Sequence, residues 1–322
     1  MKFKMYILFF FLAFSVACSN THESTKQSDV LTVYSPYPTH LIRPILNEFE
    51  KQENVKIEVK RDSTQVLLSR LHKEKRSDRG DIFMGGVLSE TIEHPEDFVP
   101  YQDRAASQQL DDYRSTNKLV TSFILMPTVI VVNKDLQGDI AIRGYKDLLQ
   151  PALKDRVVYS NPNTTTTGYQ HMRAIYSMQQ EVKDVHHFQN HAIQLPETSQ
   201  VISRVATGQY YAGLSYEQDA RTWKNKGYPV SIIYPTEGTM LNVDGIALVN
   251  NEHPHPKREK LVHYLISRPV QQRLVADIDA KSIRKDVTEQ TDQSIASLKH
   301  ISVIPKSELP NIPHHEFLEM IQ

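Results

Sequence analysis

Apolar and polar positions change rhythm along the chain in a regular order. Residues 30–34 form a short apolar run that reads as a strand, broken by Ser35-Pro36-Tyr37-Pro38-Thr39. Over 40–52 the apolar positions Leu41, Ile45, Leu46 and Phe49 recur at helical spacing, and 55–59 alternates like a second strand. Residues 64–75 read as a helix with Val66, Leu67, Leu68 and Leu71 inward and Ser63 or Thr64 as N-cap. Residues 81–85 read as a third strand, ended by Gly85-Gly86. Strand, helix, strand, helix, strand predicts a parallel α/β sheet. Such sheets bind ligands just past the carboxyl ends of their strands, where the breaks at Ser35 and Gly86 fall.

The second half repeats the alternation. Residues 122–132 are strongly apolar, contain Pro127 and read as a strand crossing between two units. Residues 141–153 suggest helix and turn, and 156–159 a strand. Asn161-Pro162-Asn163-Thr164-Thr165-Thr166-Thr167-Gly168 then leads into a helix over about 169–179. Further strands are predicted near 210–214, 230–234 and 245–249, with helices over 257–266 and 270–277 and a second crossing at 240–244. The expected architecture is α/β with two lobes, a ligand cleft and two crossovers. Residues 30–128 form the first part of lobe one, 129–243 lobe two, and 244–322 the return to lobe one with C-terminal helices.

The beginning of the chain has a different character. Lys2 and Lys4 precede an apolar run of about 13 residues over 5–17. That is shorter than the roughly 20 residues a bilayer span needs, but it suits the core of a signal peptide. Ser15-Val16-Ala17-Cys18 resembles a bacterial lipobox, with Ser15 where leucine is usual. The expectation is a signal peptide over 1–17, lipidation of Cys18, and a polar tether over 18–29. An ordinary signal peptide with an incidental Cys18 is the alternative. Two or more acyl chains would anchor the protein on the extracellular face of the cell membrane.

Composition narrows the function. The chain has 322 residues, 39% hydrophobic and 23% charged, an ordinary globular balance. Lys plus Arg (37) and Asp plus Glu (38) nearly cancel, so no basic field suggests a nucleic-acid partner. Cys18 is the single cysteine, which excludes an internal disulfide or a cysteine-rich metal site. His186-His187, His253-Pro254-His255 and His314-His315 are too close along the chain to share a metal from one helix face, so neither metal nor cofactor is expected. There is no H-E-x-x-H, P-loop or G-x-S-x-G, so an extracellular hydrolase is disfavoured. What remains is a binding protein for a small polar ligand. Its candidate ligand residues are Ser35, Tyr37 and Thr39 after the first strand; Ser63 and Thr64 at a helix start; and Gly86 and Ser89 after the third strand. Asn163, Thr164, Thr165, Thr166 and Thr167 form a hydroxyl-rich strand-to-helix junction suited to an anion. Tyr216, Glu217, Glu237 and Asp244 lie near the expected crossovers, with the acids suited to sugar hydroxyls.

Several stretches together resemble solute-binding proteins of the periplasmic-binding type II fold. They are Val33-Tyr34-Ser35, Asn161-Pro162 with Thr167-Gly168-Tyr169, Gly208-Gln209-Tyr210, Tyr216-Glu217-Gln218-Asp219-Ala220, Glu237-Gly238-Thr239, Asp244-Gly245-Ile246-Ala247-Leu248-Val249 and Ser267-Arg268-Pro269-Val270-Gln271. Within that fold the chain resembles the branch holding ferric-ion, hexose-phosphate and phosphonate binders. Ferric binders of the branch carry paired tyrosines where this chain has Tyr216-Glu217, which argues against iron. The resemblance implies a lipid-anchored sensor of glucose 6-phosphate or phosphate that signals to the ectodomain of a membrane histidine kinase. Alternatively, it implies the substrate-binding component of an ABC importer, docking on a permease and carrying ferric ion, phosphonate or sugar phosphate.

Overall fold

The structure is a computed structural model that describes residues 30–288, 301–305, 308–309 and 311–322. The expected signal peptide, Cys18 and tether lie outside the described residues. The elements follow one another as β1 (Val30–Ser35), α1 (Thr39–Glu53), β2 (Lys56–Arg61), α2 (Thr64–Lys73), β3 (Ile82–Met84), α3 (Leu88–Thr91), β4 (Phe98–Val99), β5 (Thr121–Asn133) and α4 (Lys134–Gln137). Then come β6 (Val157–Ser160), α5 (Thr166–Ser177), α6 (Val182–His191), β7 (Ile193–Leu195), α7 (Thr198–Ala206), β8 (Ala212–Tyr216), α8 (Glu217–Asn225), β9 (Val230–Ile233) and β10 (Leu241–Val249). The chain closes with α9 (Arg258–Leu265), α10 (Arg268–Ile278), β11 (Lys281–Ser282), α11 (Lys285–Thr288) and α12 (His314–Met320).

Two half-sheets share one long strand. β1 pairs in parallel with β2 and β3, and β10 runs antiparallel to β3. In the other half β6 pairs in parallel with β7 and β8. β5 is buried along all 13 residues. Its first part pairs with β10 as far as Leu241 opposite Pro127, and its second part pairs with β8 starting at Thr128 opposite Tyr216. Pro127 has no N–H to donate, and it stands where the ladder partner changes. The chain returns to the first half ahead of Leu241, so all of β10 belongs there.

Alternation on each half-sheet builds a layer on both faces. Val129 and Val131 of β5 join Val158, Val201 and Val205 on one side, while Ile130 and Val132 join Tyr169, Met172 and Phe188 on the other. The first half is covered by Leu46, Phe49, Leu261 and Leu265 on one face and by Leu67, Leu71 and Phe98 on the other. The terminal helix α12 packs on the second half, where Phe317 meets the rings of Tyr169 and Tyr176.

Some local readings shift. Residues 141–153 form only short 3-10 turns at Lys146–Leu149 and Pro151–Leu153, because Pro151 cannot supply the N–H a continuing helix needs. α5 begins at Thr166, so Thr166 and Thr167 belong to its first turn.

The halves touch along one rim. Thr166 Oγ1 donates to Thr64 Oγ1 at 2.9 Å, and Gln65 N–H to the Thr164 carbonyl at 3.3 Å. Gln170 donates to Glu90 at 3.0 Å, and Arg173 also pairs with Glu90. His314 Nδ1 lies 2.9 Å from Glu93. The lobes are therefore closed over the space between them.

Candidate functional site

A cavity of about 250 Å³ lies between the half-sheets. Five helices begin at its wall: α1 after Pro38, α2 at Ser63–Thr64, α5 at Thr165–Thr166, α7 at Glu197–Thr198 and α8 at Tyr216. Helix starts carry N–H groups without intrahelical partners and a partial positive charge. Thr165 caps α5 through its hydroxyl, which accepts from Gly168 N–H at 3.1 Å. Gly168 is required there, because a Cβ would lie 2.1 Å from the Ser160 carbonyl oxygen. Gly86 has φ +74°, and a Cβ on it would come 2.8 Å from Thr64, so the turn after β3 approaches α2 closely only as glycine.

Of the residues singled out from the sequence, Tyr37, Ser63, Thr64, Gly86, Thr165, Thr166, Thr167, Tyr216 and Asp244 line the cavity. The others are not brought to its wall. Ser35 is fully buried behind it and accepts from Tyr37 N–H. Thr39, Ser89 and Asn163 are exposed elsewhere, and Thr164 faces a separate surface groove. Glu217 is buried against Arg221 at 2.5 Å and Lys281 at 3.4 Å. Glu237 accepts from the N–H groups of Tyr145 at 3.1 Å and Lys146 at 2.9 Å. The Glu237 carboxylate is thus spent on holding local structure, while Glu217 uses one oxygen for its two cations and its other oxygen, also buried, makes no bond of normal geometry.

The exposed side of the cavity is lined by His40, Arg61 and Lys226 together with the acidic Asp62 and Glu197. Partial burial and the charges of Lys226 and Arg61 lower the His40 pKa, so these three groups sense one another. On the inner side stand Asp219 and Asp244 with Tyr37 and Tyr216. Burial pushes Asp244 up to about 6, against the Tyr37 hydroxyl that donates to it at 2.5 Å. Burial, then the nearby Asp244, pushes Asp219 up to about 6 as well. Burial and the same acids hold both phenols well above their ordinary range. The Gln218 side-chain amide nitrogen is buried with no hydrogen-bond partner, and Asp244 Oδ1 and the Tyr216 hydroxyl make no bond of normal geometry. Such groups are costly unless a ligand or water meets them. Trp223, half-buried in the wall, offers an apolar ring face.

The family described as bacterial extracellular solute-binding protein matches residues 31–277, which span both half-sheets and all five helix starts. This chain belongs to that family. The solute-binding protein is 78% identical to a solved structure described as a two-component system protein mediating signal transduction. That likeness has a TM-score of 0.87 and covers 91% of this chain and 100% of the other. The periplasmic binding protein AfuA from Actinobacillus pleuropneumoniae, solved with exogenous fructose-6-phosphate bound, is 17% identical over 90% of this chain and 96% of its own, with a TM-score of 0.78. That likeness speaks for the shared fold. An uncharacterized protein of Haemophilus influenzae is 21% identical over 277 residues, 81% of this chain and 79% of its own. The two-lobed α/β architecture expected from the sequence is the one these neighbours share.

Sequence reasoning missed Asp219, Gln218, Trp223, Lys226, Arg61 and His40. The signal for four of them was present: Gln218, Asp219 and Trp223 lie on α8 and Lys226 just past its end, all following Tyr216 at a strand-to-helix junction of the same kind as 161–168.

Proposed function

We propose that this solute-binding protein is a lipid-anchored extracellular sensor of hexose phosphate that reports its ligand to a membrane histidine kinase. The carrying observation is one cavity that joins several helix starts, the Arg61 and Lys226 cations and the buried acids Asp219 and Asp244. In this reading the phosphate takes the exposed side, with Arg61 and Lys226 as cations, His40 as a neutral hydrogen-bond partner, and the α2 and α5 starts supplying N–H groups and the hydroxyls of Ser63, Thr64, Thr165, Thr166 and Thr167. The sugar lies inward, its ring against Trp223 and its hydroxyls donating to Asp219 and Asp244 and accepting from Gln218. Closure of the lobes on the ligand is the change a partner would read. The 78% identical relative described as a two-component signalling protein supports the sensing role. Cys18 would carry the anchor.

Calorimetry with glucose 6-phosphate and inorganic phosphate tests the assignment. Arg61→Ala is expected to weaken both ligands, and Asp219→Asn the sugar phosphate alone. If neither variant changes either affinity, the placement fails. Tyr37, Tyr216, Asp219 and Asp244 also make an all-oxygen set at one place, which a ferric ion accepts. A response to ferric citrate alone, with a permease rather than a kinase ectodomain co-purifying, would favour an importer component.

A further inference from the structure

We propose that His72, His94 and Glu96 form a surface site for one borderline divalent cation, with Zn²⁺ as the fitting ion. His72 lies in the last turn of α2, and His94 and Glu96 flank Pro95 just before β4. The fold stacks the two imidazoles with centroids 3.5 Å apart and planes 11° apart. One ligand atom from each of the three residues lies within 4.8 Å of the others. Ligand atoms around tetrahedral zinc stand about 3.3 Å from one another at bond lengths of about 2.0 Å. Because all three side chains are exposed, small rotations close the difference.

The surroundings prepare His72 as a ligand. Its Nδ1 lies 2.9 Å from Asp97 Oδ2, while Arg79 donates to Asp97 Oδ1 at 2.8 Å. Asp97 and Arg79 are both nearly buried, at 5% and 8% side-chain exposure. An Nδ1–H donated to this fixed carboxylate leaves the lone pair on Nε2, the arrangement that orients metal-binding histidines. His94 Nδ1 stands 3.3 Å from Glu96 Oε1, so an incoming cation replaces a contact between two of its own ligands. Two imidazoles and one carboxylate select Zn²⁺ or Ni²⁺ over Mg²⁺ and Ca²⁺, and three protein ligands leave a coordination position open. None of the three residues lines the cavity between the lobes.

The test is calorimetric titration of the full-length protein with Zn²⁺, and separately with Mg²⁺, in a non-chelating buffer. One Zn²⁺ per chain and no Mg²⁺ binding is expected. His72→Ala and His94→Ala should each weaken Zn²⁺ binding by about tenfold or more, with glucose 6-phosphate affinity unchanged. Unaltered Zn²⁺ affinity in the double variant would overturn the site and place any binding at the remaining histidines.

Discussion

Asp219 and Asp244 set the electrostatics of the cavity. Both pKa values rise from 3.8 to about 6 in the folded protein, chiefly through burial. Between those values the folded chain holds protons that the unfolded chain has released. Stability from these groups is therefore fully present below about pH 4 and lost as pH rises through 6. Asp219→Asn removes one of the two charges. It is expected to raise the melting temperature of the ligand-free protein at pH 7.5 and to change it little at pH 4. An equal change at both pH values would show that the gain is not electrostatic. The hydroxyls of 165–167 and Tyr37 were legible as residue types placed after strands, and Asp244 as an acid at an expected crossover. Glu217 and Glu237 looked equivalent to them on paper. Which of Glu217, Gln218 and Asp219 faces the cavity depends on the rotation of α8 about its own axis, and that is fixed by packing. Glu217 turns to Arg221 and Lys281, and Asp219 to the cavity.

Among the elements, the junction of β6 and α5 is tightly built. Thr165 caps the helix, and Gly168 in its first turn lets α5 rest directly on the end of β6. Gly168→Ala would force a methyl group to 2.1 Å from the Ser160 carbonyl oxygen. The expected cost is about 4 kcal/mol or more, in the range reserved for core disruption. Urea unfolding measures it, and a loss below about 1 kcal/mol would mean that the junction relaxes freely. The element order was readable because period-two and period-3.6 patterns alternate cleanly before residue 90. The stretch 141–153 was less so. Its apolar residues fit a helix, but Pro151 and the Glu237 carboxylate, which accepts from Tyr145 and Lys146, divide it into single turns.

For the molecule as a whole, the closed state is held outside the cavity as well as around it. Glu90 on α3 accepts from Gln170 and pairs with Arg173, both on α5 in the other half. Glu90→Ala removes the acceptor of both contacts. It is expected to increase the radius of gyration of the ligand-free protein in solution scattering and to weaken glucose 6-phosphate by about tenfold, because ligand binding must then also supply the closure energy. Unchanged scattering and affinity would show that the cavity contacts alone determine closure.

The amino-acid order by itself determined the α/β alternation, the long apolar strand with Pro127 at its centre and the hydroxyl-rich start of α5, because each depends on residues near one another in the chain. Only the tertiary structure decided that Arg61, Lys226 and His40 share one side of a cavity with Asp219 and Asp244 opposite, that α12 packs on the second half, and that His72 stacks on His94. Those neighbours are far apart in sequence, and burial of several apolar faces at once brings them together, so no local pattern encodes them.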